Sequence, residues 1–401
     1  MKLLGLELSK TLANRGKLIV LALFLLLYVV MGFSSTYYSY GGTENYQTYV
    51  SLVEQHTGEL DEAQGQLSTD LYTEAEHKYG AGEAIDHYKM QDPELKFHSD
   101  YADFTTDVHN YYYGEEPGEQ DIDNLIGIEA VEQKLAELKA AGEQDGYEYA
   151  RYEQQLATDH VLGAPTFQNV SFWESLFSNW GGMNVLLLLL FPLAYFVAPI
   201  FTQEVRTGMD NIVLCSKKGR REIVTAKLLT AVITAIVLSV LFLAGTFVGT
   251  AAATGSVAGA DCALRCLSGF RTALYDLTIG QFAGIAALWI VLVSIACSSV
   301  ALVVSSLTRN QAAAFGMSFI MLLVGMSTEI FGTGLKDLLW PIVDFSFNTL
   351  AKVSTIFGQT TTYNLFGQPV SYAAAGGIVA VILFVVFTAV VYAAQRKRAV
   401  R

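Results

Sequence analysis

Between Leu18 and Thr43 the chain carries no charged residue, and the first two thirds of that stretch are almost wholly apolar. A run of about 18 or more apolar residues is long enough to cross a hydrocarbon core of about 30 Å as a helix. In lipid the backbone must satisfy its own hydrogen bonds, so a helix is the natural state of such a run. Comparable runs recur at about 183–201, 228–252, 279–306, 312–330 and 373–394. The pattern predicts an all-α polytopic membrane protein with six transmembrane helices. Of 401 residues, 52% are hydrophobic and 16% charged, against about a quarter charged in a soluble domain.

The charges that remain are segregated. Residues 34–182 hold 29 Asp or Glu and 6 Lys or Arg, a net of −23, whereas the rest of the chain carries +10. A bilayer is the simplest way to keep two such parts separate. The acidic balance also argues against nucleic-acid binding, which needs basic surface to neutralise phosphates. The chain therefore divides into 1–33, an interfacial helix and first span; 34–182, an acidic extracellular domain; and 183–401, five further spans.

In the first part, Leu4, Leu8 and Leu12 fall on one helical face amid Lys2, Lys10, Arg15 and Lys17, with Glu7 the lone acid. This suits a helix lying in the membrane interface. No A-x-A-like site follows the first apolar run, so a cleaved signal peptide is disfavoured. The acidic domain is mainly helical by pattern. Leu125, Ile128, Val131, Leu135 and Leu138 recur at three- and four-residue steps. It holds all six histidines. Four of them, His77, His87, His98 and His109, recur every ten or eleven residues, but Pro93 interrupts any single helix that would align them as metal ligands. Solvated surface histidines are the expectation, and no metal site is predicted. Of four cysteines none forms a CxxC pair, and a bridge between Cys262 and Cys266 at i and i+4 would fit disulfide geometry poorly.

The second and third spans are joined by the most basic stretch, residues 203–227, QEVRTGMDNIVLCSKKGRREIVTAK, with Arg206, Lys217, Lys218, Arg220, Arg221 and Lys227. Short cytoplasmic loops collect Lys and Arg. Six spans place this stretch, the turn at Arg309 and both termini on that side, and the acidic domain outside. The expected location is the plasma membrane, multi-pass. The segment 331–372, broken by Pro341 and several charges, reads as a partly re-entrant outside segment. Ser294, Ser298 and Ser299 with Gly280 and Gly284 suit close packing in the fourth span.

The connector resembles the first cytoplasmic loop of membrane subunits of ATP-binding-cassette exporters, the type-2 permease group. The residues that carry the resemblance are Glu204, Gly208 and Met209, the turn of Ser216, Lys217, Gly219 and Arg220, and Lys227 before the next span. The order of spans and loops matches that layout, apart from the acidic domain. The resemblance implies a coupling helix seated on separate ATPase subunits, with Arg206, Ile212 and Arg221 completing the coupling set and Ile212, Val213 and Leu214 able to dock in a groove. It implies a second permease, identical or not, as partner, and ATP and Mg on the ATPase rather than on this chain. Consistently, no G-x-x-x-x-G-K-[ST] loop occurs. No cofactor or catalytic residue is predicted for this chain, and it is not expected to be an enzyme. The nearly uncharged spans suggest an amphiphilic or apolar cargo such as a drug, lipid or peptide antibiotic. The alternative is a membrane receptor or sensor subunit whose acidic domain binds a ligand. An ion-driven carrier is disfavoured, because Glu329 is the main ionisable residue in the spans.

Overall fold

The computed structural model describes residues 2–114, 127–208, 219–323 and 342–397. A short helix α1 (Lys2–Thr11) precedes the long α2 (Arg15–Ser39). Six helices of the acidic segment follow: α3 (Thr43–Gln55), α4 (Glu62–Tyr79), α5 (Glu83–Lys89), α6 (Pro93–Tyr113), α7 (Ile128–Ala141) and α8 (Tyr147–Leu162). Then come α9 (Ser171–Asn179), α10 (Leu187–Thr207), α11 (Gly219–Thr254), α12 (Ile279–Leu307) and α13 (Gln311–Leu322). Two short helices, α14 (Phe347–Leu350) and α15 (Val353–Gly358), lead into an antiparallel hairpin, β1 (Thr362–Leu365) and β2 (Gln368–Ser371), and the last helix α16 (Tyr372–Lys397).

Five of these helices, α2, α10, α11, α12 and α16, are long and apolar enough to cross a membrane, which makes the chain a multi-pass helical membrane protein. Six spans were expected. The sixth, about 312–330, is described only to residue 323, where α13 supplies twelve largely apolar residues. The rest of that segment, with Glu329, lies outside the described residues. The expected re-entrant segment is described from 342 onward. There it holds short helices and the hairpin, a departure from an all-α fold.

Local chemistry sets where the helices begin. The Asn14 side chain accepts from the Gly16 N–H (3.1 Å) to start α2, and Asn310 does the same for Ala312 (2.9 Å) at α13. Thr278 and Gln281 form a reciprocal capping box at α12. Where α10 begins the backbone widens into a π-turn over Leu186–Leu190, next to Pro192. Beside Pro199 a neighbouring helix bonds the α10 backbone directly. Ser305 of α12 accepts from the Phe201 N–H (3.1 Å) and donates to the Ala198 carbonyl (2.7 Å).

Helices α10 and α12 form the centre of the bundle, with 67% of their apolar windows buried, against 17% for the peripheral α2 and α16. The tightest approach is between α2 and α11. A methyl group at Gly32 would lie 2.5 Å from the Thr246 carbonyl oxygen, one at Gly245 would lie 2.6 Å from the Tyr28 Cβ, and one at Gly249 would overlap the Val29 carbonyl. Glycine is required there by backbone proximity, the usual device of membrane helix pairs. The expected Gly284 faces open space instead. Ser294, Ser298 and Ser299 are buried and bond back to carbonyls of their own helix.

The acidic segment has an aromatic core of its own, in which Tyr46, Phe97, Tyr101, Phe104 and Phe167 pack, and a smaller one between α7 and α8 around Val131, Leu138 and Tyr152. The apolar stripe expected on α7 is therefore used, although Leu125 lies outside the described residues. Two arginines of the α11–α12 connector fasten this segment to the bundle. Arg265 is buried, pairs with Asp159, and donates to the carbonyls of Gly163 (3.1 Å) and Ala273 (2.9 Å). Arg271 pairs with Asp107. Cys262 and Cys266 are both unbridged.

Candidate functional site

At the opposite end of the bundle, where α10 stops and α11 starts, four charged residues converge. Helix α10 ends in its left-handed cap, Gly208 (φ 68°), which any larger side chain adopts with strain. One turn back, Glu204 faces α11, whose Lys227 lies two turns in from its start. Helix α1 brings Glu7 and Lys10, one turn apart on the same face. Lys10 Nζ lies 2.8 Å from Glu7 and 3.8 Å from Glu204. Lys227 Nζ lies 3.1 Å from Glu204 and 3.8 Å from Glu7, donates to the Ile200 carbonyl, and sits 4.8 Å above the Phe201 ring.

Lys227 is wholly buried and Glu7 nearly so, whereas Lys10 is half-exposed. Burying one ion costs several kcal/mol unless it is paired and its remaining protons are bonded. The two ammonium groups and two carboxylates balance, and the Ile200 carbonyl and Phe201 ring serve the remaining faces of Lys227. Burial is the largest single influence on Lys10 and opposes its charge. The hydrogen bond and charge of Glu7, with Glu204 beyond, outweigh it and hold the Lys10 pKa above the usual lysine value. The arrangement ties three helices, α1, α10 and α11, into one unit. At the same end the Thr225 and Tyr392 hydroxyls lie 2.8 Å apart, adding α16 to α11.

Of the residues the sequence singled out, the structure brings Glu204 and Lys227 into direct contact, so both ends of the 203–227 stretch are pinned together. Arg206 and Arg221 stand exposed on either side. Gly208 ends its helix with nothing against its α-carbon. Met209, Ile212 and Lys217, with Val213, Leu214 and Ser216, lie outside the described residues. Gly219 and Arg220 are described only as the first turn of α11. The sequence did not show the burial of Lys227. Lys227 is the buried hub of the cluster, because Glu7 and Glu204 give its charge a protein partner. Glu7 and Lys10 were not assigned to the site. Their signal was a lone acid on a leucine-lined helix face, next to a lysine one turn on.

Within α10, Phe196 is wholly buried and has the Lys17 ammonium 5.8 Å from its ring. Phe191 packs edge-on against Phe315 and Phe319, and Tyr195 is partly exposed. Comparison with family models, curated proteins and solved structures finds no match to this chain.

Proposed function

We propose that the chain is the membrane subunit of an ATP-driven exporter of the ATP-binding-cassette type, working as a pair with itself or a sister chain. The ATPase activity belongs to separate subunits, which hold ATP and Mg. In this reading the 203–227 connector faces the cytosol as the coupling element. The observation that carries it is the buried cluster of Glu7, Lys10, Glu204 and Lys227. A loop that only fixed orientation would need lysines in water. This one has its two ends clamped by a desolvated ion pair that also grips α1. Force applied to the connector by a closing ATPase pair would move α1, α10 and α11 together rather than deform a slack loop. The nearly uncharged spans favour an amphiphilic or apolar cargo. Both termini lie in the cytosol of a plasma-membrane protein, with the acidic segment outside.

The test is purification of the tagged full chain from its native membrane, with ATP hydrolysis as the readout. Co-purifying ATPase activity that Glu204→Ala or Gly208→Val lowers at least tenfold, with the chain itself still folded and inserted, supports the reading. Cargo movement by the purified chain alone, or retention of the ATPase by both variants, would overturn it.

A further inference from the structure

Where the acidic segment meets the bundle, a cavity of about 190 Å³ opens between α3, α6, α9 and the α11–α12 connector. The cations in its wall are already committed. Lys96 bonds Asp100 (3.1 Å), and Arg271 pairs with Asp107. Two further carboxylates in the same wall, Asp103 and Glu174, make no close ion pair among the described residues, and Arg271 acts on both only from further off. Asp103 makes no ion pair or hydrogen bond among the described residues. Glu174 accepts from the Ser268 N–H (2.5 Å) and hydroxyl (3.0 Å), both neutral donors. Burial pushes the Glu174 carboxyl above the usual carboxylate range. The Ser268 bonds and the charge of Arg271 partly offset this effect. Carboxylates outnumber cations in the cavity wall, Asp100, Asp103 and Glu174 against Lys96 and Arg271, within a segment that is itself strongly acidic.

The cavity also shows how its walls receive an ammonium. Lys96 Nζ lies 5.2 Å from the centroid of Tyr40 and 5.4 Å from that of Tyr49, both nearly buried rings, while bonded to Asp100. Aromatic faces beside a carboxylate are the usual recognition set for organic cations. A metal ion fits less well, since no group of three or more His, Cys, Asp or Glu among the described residues is arranged to hold one.

We propose that this cavity binds an organic ammonium ligand, with Asp103 and Glu174 as its counter-ions and the tyrosine pair as part of its wall. The proposal is independent of the transport reading, because a sensor would use the same site.

The experiment uses the full chain in lipid nanodiscs and benzylamine as probe, with benzyl alcohol and benzoate as neutral and anionic counterparts. Binding is read by calorimetry and by the rise in melting temperature. Benzylamine binds saturably and its counterparts do not. Asp103→Asn and Glu174→Gln each weaken it tenfold or more, while Glu137→Gln, an exposed acid on α7, leaves it unchanged. Asp103 is itself exposed, so its substitution tests the charge without disturbing the core. Absence of saturable benzylamine binding, equal binding of benzyl alcohol, or full affinity in both cavity variants overturns the proposal.

Discussion

At the residue scale, the fate of Lys227 shows how a single charge is decided by its partners. Its Nζ is surrounded by Glu204, Glu7, the Ile200 carbonyl and a phenyl ring. Removing one member of a buried ion pair leaves the other uncompensated and typically costs about 3–5 kcal/mol. Glu204→Ala is therefore expected to lower the thermal stability of the purified chain sharply. Lys227→Met combined with Glu204→Gln, which removes both charges and keeps the volume, is expected to recover most of the loss. Two variants that melt alike would show that the pair is not coupled. Sequence spacing could place Glu204 and Lys227 at the two ends of one connector. It could not show that Glu7, almost two hundred residues away, completes the cluster, because long-range pairing leaves no local pattern.

Glu174 offers a second residue-scale test, with a defined sign. Burial raises its folded-state pKa above the unfolded value. The folded protein then holds this proton more tightly than the unfolded chain. Its contribution to stability is highest below the unfolded pKa and is lost as pH rises through the window up to the folded pKa. Unfolded carboxylates titrate near about pH 4.3, so the fall begins there and continues upward. In Glu174→Gln this component disappears, and the melting temperature of the variant should decline less than that of the parent over the same range. Parallel curves for the two proteins would count against the assignment.

At the element scale, what was legible was the existence of helices rather than their contacts. Uncharged runs gave α2, α11, α12 and α16 directly, since apolar length is the property that selects them. The glycines that set the closest contact were silent. Gly32, Gly245 and Gly249 look in sequence like neutral members of apolar runs, and the pair singled out instead, Gly280 and Gly284, lies elsewhere. Only the partner backbone gives such glycines meaning. Gly249→Leu is expected to separate α2 from α11, at a cost of about 1–3 kcal/mol or more for overpacking. The readout is the yield of a disulfide engineered across these helices, together with the melting temperature. Unchanged crosslinking would argue that the contact is not tight. The hairpin was missed for a different reason. Its two central residues, Phe366 and Gly367, both adopt positive φ (55° and 85°), the turn geometry that Asn-Gly normally announces. A phenylalanine in that position hides the signal, and its ring stands almost fully exposed.

At the scale of the whole molecule, charge is the organising quantity. The acidic segment, fastened through Arg265 and Arg271, occupies one end of the helical bundle, and the basic connector occupies the other. Moving either through hydrocarbon would strand many charges, so the two are expected on opposite sides of the membrane. The native cysteines make this testable. Cys215 lies in the basic connector, whereas Cys297 and Cys266 are buried and Cys262 is half-buried. In a Cys262→Ser background, a membrane-impermeant maleimide added to intact cells should leave Cys215 unmodified until the membrane is permeabilised. A cysteine placed at the exposed Glu137 of α7 should react without permeabilisation. The two reagent-accessible positions then report on both ends of one molecule at once. Labelling of Cys215 from outside would reverse the orientation. It would also remove the basis for a cytosolic ATPase acting on the connector, since the buried clamp of Glu7, Lys10, Glu204 and Lys227 would then face the wrong compartment to receive its force.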